Sequence, residues 1–126
     1  MLKATAALVL CSAGSLHATE TMVMSPVPWD AQQSYLERLR MPAEGTAEVC
    51  ERLETGAKVQ WRYKTSASVD FNVHARAGKT VTVLVRKDRT TRADAVFTAA
   101  SAQEYCWSWT NNSGGSVELT LHLKRR

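Results

Sequence analysis

The chain has 126 residues, 44% of them hydrophobic and 22% charged, and its 16 Lys and Arg against 12 Asp and Glu give a formal net charge of +4. That apolar content excludes a disordered polymer, and a small basic surplus with no nucleic-acid-binding motif beside it excludes a nucleic-acid partner. No apolar run reaches the roughly 20 residues that a membrane-spanning helix needs.

Residues 1–18 read as a secretory signal peptide. Lys3 supplies the basic start, Ala6 to Cys11 the short apolar run, and Ser12 to Ala18 the small and polar stretch, with cleavage after Ala18. Leu8-Val9-Leu10-Cys11 also partly matches a lipobox, so lipidation at Cys11 stands as the alternative. Either way the working protein lies outside the cytoplasm, periplasmic or secreted, with about a hundred residues for one modest core.

Residues 19–45 form an N-terminal lead-in. After a polar, proline-containing stretch, the spacing predicts a short helix from Asp30 to Arg40. Asp30 caps it, Leu36 and Leu39 give it a thin apolar stripe, and Met41-Pro42 ends it. Trp29, just before it, either staples the helix to the rest or contacts a partner.

From Thr46 the period changes to two, and residues 46–126 read as one all-β domain. Ala47, Val49 and Leu53 share one parity. Val59, Trp61 and Tyr63 alternate with Gln60, Arg62 and Lys64; Val69, Phe71 and Val73 alternate with Asp70, Asn72 and His74. Thr55-Gly56 and Ala77-Gly78-Lys79 mark turns. Val81, Val83 and Val85 predict a further strand, Lys87 to Arg92 a basic loop, and Ala93, Ala95 and Phe97 a weaker strand. Tyr105, Trp107 and Trp109, then Val117, Leu119, Leu121 and Leu123, alternate on either side of Asn112-Ser113-Gly114-Gly115. They read as a closing hairpin whose glycines supply positive φ. About seven short strands with regular turns predict an antiparallel, jelly-roll-like β-sandwich with one short N-terminal helix.

The sequence holds three cysteines. Cys11 leaves with the signal, and an even pair in an exported chain, Cys50 and Cys106, points to one disulfide; two free thiols are the alternative. Asp70, Asn72 and His74 form a polar ladder that either stays wet or binds a cation or sugar. Arg86, Lys87, Arg89 and Arg92 form either a solvated loop or a landing place for an anionic partner. No Gly-x-Ser-x-Gly elbow, His-Glu-x-x-His or phosphate-binding loop occurs. Pairing would deny Cys106 the role of a nucleophile beside His74. A carboxylate pair among Glu48, Glu51, Glu54 and Asp70 is better explained by a charged sheet edge. The expectation is therefore no enzyme, no cofactor and no metal centre.

One resemblance is carried by named residues. Cys50-Glu51-Arg52-Leu53-Glu54-Thr55-Gly56, the aromatic strand Val59-Gln60-Trp61-Arg62-Tyr63, the Val69-Asp70-Phe71-Asn72-Val73-His74 strand, and Tyr105, Trp107, Trp109 and Asn111 as aromatic-x-aromatic-x-aromatic-x-Asn resemble the GOLD (Golgi dynamics) domain. The likeness spans roughly Glu48 to Leu123. It implies a β-sandwich in which three aromatics on one face fill the gap between sheets of about 10 Å, while loops carry recognition. The second cysteine stands between the first and second aromatics, one strand repeat earlier than in the family's cargo receptors, with parity kept. The short signal and single small domain point to a bacterial-type, stand-alone version of that domain, and no role in vesicle traffic is inherited. Together these readings point to a non-catalytic module of the cell envelope that binds an envelope protein, or alternatively a lipid or carbohydrate. Trp29, His74, Arg86, Lys87, Arg89 and Arg92 are the candidate contacts.

Overall fold

A computed structural model describes residues 21–126. The signal peptide over 1–18, its cleavage point and lipidation at Cys11 lie outside those residues. The described chain forms β1 (Thr21–Met24), β2 (Ser34–Met41), β3 (Thr46–Leu53), β4 (Lys58–Ala77), β5 (Thr80–Thr98), β6 (Gln103–Thr110) and β7 (Val117–Arg125).

β4 organises the rest. Its first half, Val59 to Thr65, pairs antiparallel with β7, and its second half, Asp70 to Arg76, pairs antiparallel with β6. β5 returns antiparallel along its other side. Register slips between Lys64 and Val69 and between Val69 and Phe71 mark a bend, opposite which Arg89 takes a φ of 51°. Bulged strands bend where the ladder is broken. Here the bend curls the sheet so that its two halves face each other. Trp61 and Phe71, which a straight strand would hold about 33 Å apart, bring their ring centroids to 4.8 Å.

One leaf is therefore β1-β3-β6 with the second half of β4; the other is β2-β7 with the first half. β1 runs parallel to β3, so the sheet is mixed, not wholly antiparallel. Trp61, Tyr63, Leu119, Leu121 and Leu123 from one leaf and Phe71, Val73, Tyr105, Trp107 and Trp109 from the other are all buried in one core. Tyr63 meets Trp109 edge-on at 5.8 Å, and Phe97 meets Tyr105 at 4.9 Å.

Four expectations are corrected. The segment read as a helix contains β2, which pairs with β7 from Ser34↔Lys124 to Met41↔Val117. Its apolar stripe was too thin to hold a helix, whereas a strand there buries Tyr35 and Met41 and leaves Leu36 outside. Asp30 still organises the start, but its Oδ1 accepts hydrogen bonds from the backbone N–H of Gln32 (2.8 Å) and Ser34 (2.9 Å) and closes a turn. The two pairs of short strands on either side of residue 66 and residue 90 are single long strands, and the basic loop Lys87 to Arg92 lies within β5. Finally, β6 and β7 are not a hairpin. They lie end to end along the same side of β4, in opposite leaves. Alternation showed that both strands have one buried face, not that they pair.

Positive φ does not make that crossing either: among the glycines of the described residues it occurs at Gly56 and Gly78, not at Gly114 or Gly115. The crossing is held by Asn111, which is wholly buried. Its Nδ2 donates to the carbonyls of Pro42 (2.9 Å) and Gly115 (2.8 Å), while its Oδ1 accepts from Ser113 N (2.9 Å) and Ser113 Oγ (2.7 Å).

Two further ties fix the ends. Glu51 accepts from Val27 N (2.8 Å) and Trp29 Nε1 (3.2 Å) and pairs with Arg125 (3.4 Å), whose guanidinium lies 4.7 Å from the Trp29 ring. Cys50 and Cys106 are joined by a disulfide between facing positions of β3 and β6, with Cα atoms 4.1 Å apart. The bond spans a sequence separation of 56, and closing a loop of that length stabilises a fold by up to about 4 kcal/mol in the chain-entropy account.

Replacing Asn111 by Ala removes its hydrogen bonds to the Pro42 and Gly115 carbonyls and those it accepts from Ser113 N and Oγ, each worth about 0.5–1.5 kcal/mol. Asn111→Ala is expected to lose about 2–3 kcal/mol and to lower Tm by roughly 10 °C or more. A melt within about 1 °C of wild type would contradict the role given to this side chain.

Candidate functional site

The outward face of the β2-β7-β4-β5 leaf is strongly cationic, and register shows why. Residues facing each other across a ladder point to the same side. Arg38, Thr120, Lys64 and Arg92 form one such row across four strands, and Leu36, His122, Arg62 and Asp94 form the next. Arg40 is neutralised by Glu118 at 2.7 Å. Arg38, Arg62, Lys64 and Arg92 take part in no ion pair among the described residues.

These cations border two adjoining hollows. The larger, about 370 Å³, lies among Leu36, Arg62, Lys64, Arg92, Asp94 and His122. The second, about 330 Å³, lies among Arg38, Ser66 and Glu118 and shares Lys64 and Thr120 with the first. His122 registers the local field. Partial burial lowers its pKa below the ordinary imidazole range, and the Arg62 and Lys124 charges push in the same direction. The imidazole is thus neutral at pH 7, and the face keeps Leu36 as an exposed apolar spot beside its charges.

The expected contact residues are dispersed over the surface. Arg92 joins the cationic face. Arg86, paired with Asp88 at 3.2 Å, borders a separate hollow on the other leaf, and Arg89 donates its backbone N–H to Asp70 (2.9 Å) near the bend. Lys87 is exposed beside them. Trp29 is half-buried and engaged by Glu51 and Arg125 within the chain.

The polar ladder also divides. Asp70 accepts from Arg89 and from Asn112 Nδ2, away from the other two residues. His74 and Asn72 stay together, Nδ1 to Oδ1 at 2.7 Å. His74 is buried on the outward face of the other leaf, with Glu48 Oε1 3.2 Å from its Nε2 and Arg76 holding the same carboxylate at 3.2 Å. Burial lowers the His74 pKa; Glu48 opposes that shift and Arg76 adds to it. Arg38, Arg62 and Lys64 draw no notice as site residues in the sequence, and Glu48 only as a member of a possible carboxylate pair, because each, alone in its strand, is an ordinary outward position. Their company comes from register.

No protein-family model matches the sequence, and no curated protein matches it. Solved structures do share the fold. The chain is similar to PliG of Aeromonas hydrophila, a periplasmic inhibitor of g-type lysozyme, with a TM-score of 0.68 and 14% identity over 86% of this chain and 100% of that one. It is similar to PliG of Salmonella Typhimurium at a TM-score of 0.56 and 11% identity, over 85% of this chain and 98% of that one. The Yersinia pseudotuberculosis-derived mitogen reaches 0.57 at 13% identity, over 72% of this chain and 84% of that one. Identities so low establish a shared fold, and these proteins already show more than one role upon it.

Both imidazoles are held below their ordinary pKa near 6.5, so between that value and their folded-state values the unfolded chain binds more protons than the folded one. Stability is accordingly expected to be level above about pH 7 and to fall as pH drops through about 6.5. His122→Gln should flatten part of the decline. A Tm that is unchanged from pH 7.5 to 5.5, or a slope identical in the variant, would contradict these assignments.

Proposed function

We propose that this chain is an exported, non-catalytic binding module of the cell envelope, periplasmic or secreted, which engages a protein partner bearing an acidic surface. The cationic face of the β2-β7-β4-β5 leaf is the contact. Four cations that take part in no ion pair among the described residues, over adjoining hollows, carry this reading, since a surplus of positive charge on a rigid sheet attracts and orients an anionic surface. The Cys50–Cys106 disulfide suits an oxidising compartment. The PliG structures support the reading in kind: they are periplasmic proteins that act by binding another protein, on the same fold. The GOLD-like pattern is retained as an account of packing, with Tyr105, Trp107 and Trp109 as the inner filling and Asn111 as the clamp.

A second reading, binding of a lipid or carbohydrate, is favoured by the size of the larger hollow, about 370 Å³, which falls within the range of small-ligand sites. Its open, charged lining would select an anionic headgroup or an acidic sugar.

Tagged protein lacking residues 1–18 is used to capture partners from envelope extract, and it is assayed in parallel for inhibition of g-type lysozyme. Capture of a specific acidic protein, weakened at least about 100-fold by Arg62→Glu, Lys64→Glu and Arg92→Glu together and weakened by added salt, is the expected result. Arg86→Glu with Lys87→Glu should leave it unchanged. Equal capture by the triple variant would move the contact elsewhere. Recovery of lipid or glycan and no protein would replace the first reading by the second.

A further inference from the structure

The outward face of the β3-β6-β4 leaf gathers metal-binding atoms from three strands. Cys50, Cys106 and His74 stand side by side in one row of the ladder. Glu48 reaches over β6 to His74. Ligand atoms of Glu48, His74 and Cys106 all lie within 4.8 Å of one another, and so do those of Cys50, Glu104 and Cys106. The His74 and Glu48 side chains are only 7% and 11% exposed.

His74 is oriented as a ligand would be. With its Nδ1–H donating to Asn72 Oδ1 at 2.7 Å, Nε2 carries the lone pair. That Nε2 is buried and has no hydrogen-bond partner. It faces a carboxylate oxygen, an arrangement that a cation bound to both would relieve.

We infer that reduction of the Cys50–Cys106 disulfide creates a site for a thiophilic divalent cation of the zinc type, bound by Cys50 Sγ, Cys106 Sγ, His74 Nε2 and a Glu48 oxygen. A dithiol reductant attacks one sulfur and displaces the other, ends as its own disulfide, and leaves two thiols on the chain. The cation then displaces both thiol protons. Two thiolates, one imidazole and one carboxylate form a tetrahedral zinc set, in which ligand atoms stand roughly 3.5 Å apart. The ladder already holds the Glu48, His74 and Cys106 ligand atoms within 4.8 Å of one another, and Cys50 Sγ, bonded to Cys106 Sγ, completes the set once the sulfurs separate to admit the cation. In the thiolate form, Cys50, Cys106, Glu48 and Glu104 set four negative charges beside two guanidinium groups, those of Arg76 and of Arg52, which faces Glu104 across the ladder; a divalent cation corrects the imbalance. Asn72 fixes the imidazole from behind. The disulfide form offers no thiolate, so metal binding is gated by redox state. This site lies on the leaf opposite the cationic face and does not depend on the partner proposed there.

Cobalt(II) is the probe, because tetrahedral cobalt–thiolate bonding has characteristic visible and near-ultraviolet absorption. The protein lacking residues 1–18 is reduced anaerobically with a phosphine, which becomes the phosphine oxide, and is titrated with cobalt(II). Expected are one equivalent bound with those bands, displacement by zinc, and no bands from the oxidised protein. Asn72→Ala should weaken binding about tenfold, and His74→Ala by at least that much. If reduction loosens the fold, metal should restore the strand signal in circular dichroism. Absence of the bands, equal affinity in His74→Ala, equal affinity in urea, or a reduced chain that stays unfolded with metal would each overturn the site.

Discussion

The bend in β4 is the constraint from which the rest follows. One strand of 20 residues supplies the middle of both leaves, and its fold-back sets Trp61 and Tyr63 against Phe71 and Trp109. Because β6 can pair only with the second half and β7 only with the first, their inner faces must oppose each other across the core. Burying aromatics of this size contributes about 2–3 kcal/mol apiece, more than any single surface contact in the molecule. The polar ties act at the open ends of this arrangement: Asn111 where the chain crosses between leaves, Glu51 where the N-terminal segment meets Arg125, and the disulfide between β3 and β6.

Much of this was legible in the residues, within limits set by what alternation can say. Period-two patterning identified most inward side chains from Ala47 to Leu123, although Val81 and Val83, which alternate just as well, stand about half exposed (52% and 50%), and the Gly56 and Gly78 turns fell where they were expected. The cysteine count gave the right pair. Alternation does not identify the neighbouring strand, so the β6–β7 crossing was mistaken for a hairpin. Nor does it distinguish two short strands from one long bent strand, because Ser66 and Ser68 look like a loop whether the chain turns back or merely kinks. At Leu36 and Leu39 a weak helical stripe competed with strand pairing, and the free edge of β7 decided the outcome.

The surface was less legible than the core for the same reason. Arg62 and Lys64 were visibly outward, but nothing near them in sequence showed that Arg38 and Arg92 would complete a row. Proximity in sequence was misleading for Arg86, Lys87, Arg89 and Arg92, which the bend distributes over different parts of the surface. The group around His74 drew its members from β3, β4 and β6, with no motif spacing to announce it. The two outward faces thus acquire distinct chemistry, one a broad field of positive charge and the other a small buried set of donor atoms, on a scaffold that serves both.

Backbone NMR tests the shared role of β4 most directly. Cross-strand proton contacts are expected between Tyr63 and Leu121 and between Val73 and Trp107, together with long-range contacts linking the Trp61 and Phe71 rings. A continuous ladder of contacts between β6 and β7, with the Trp61 and Phe71 rings far apart, would contradict the architecture and everything built upon it.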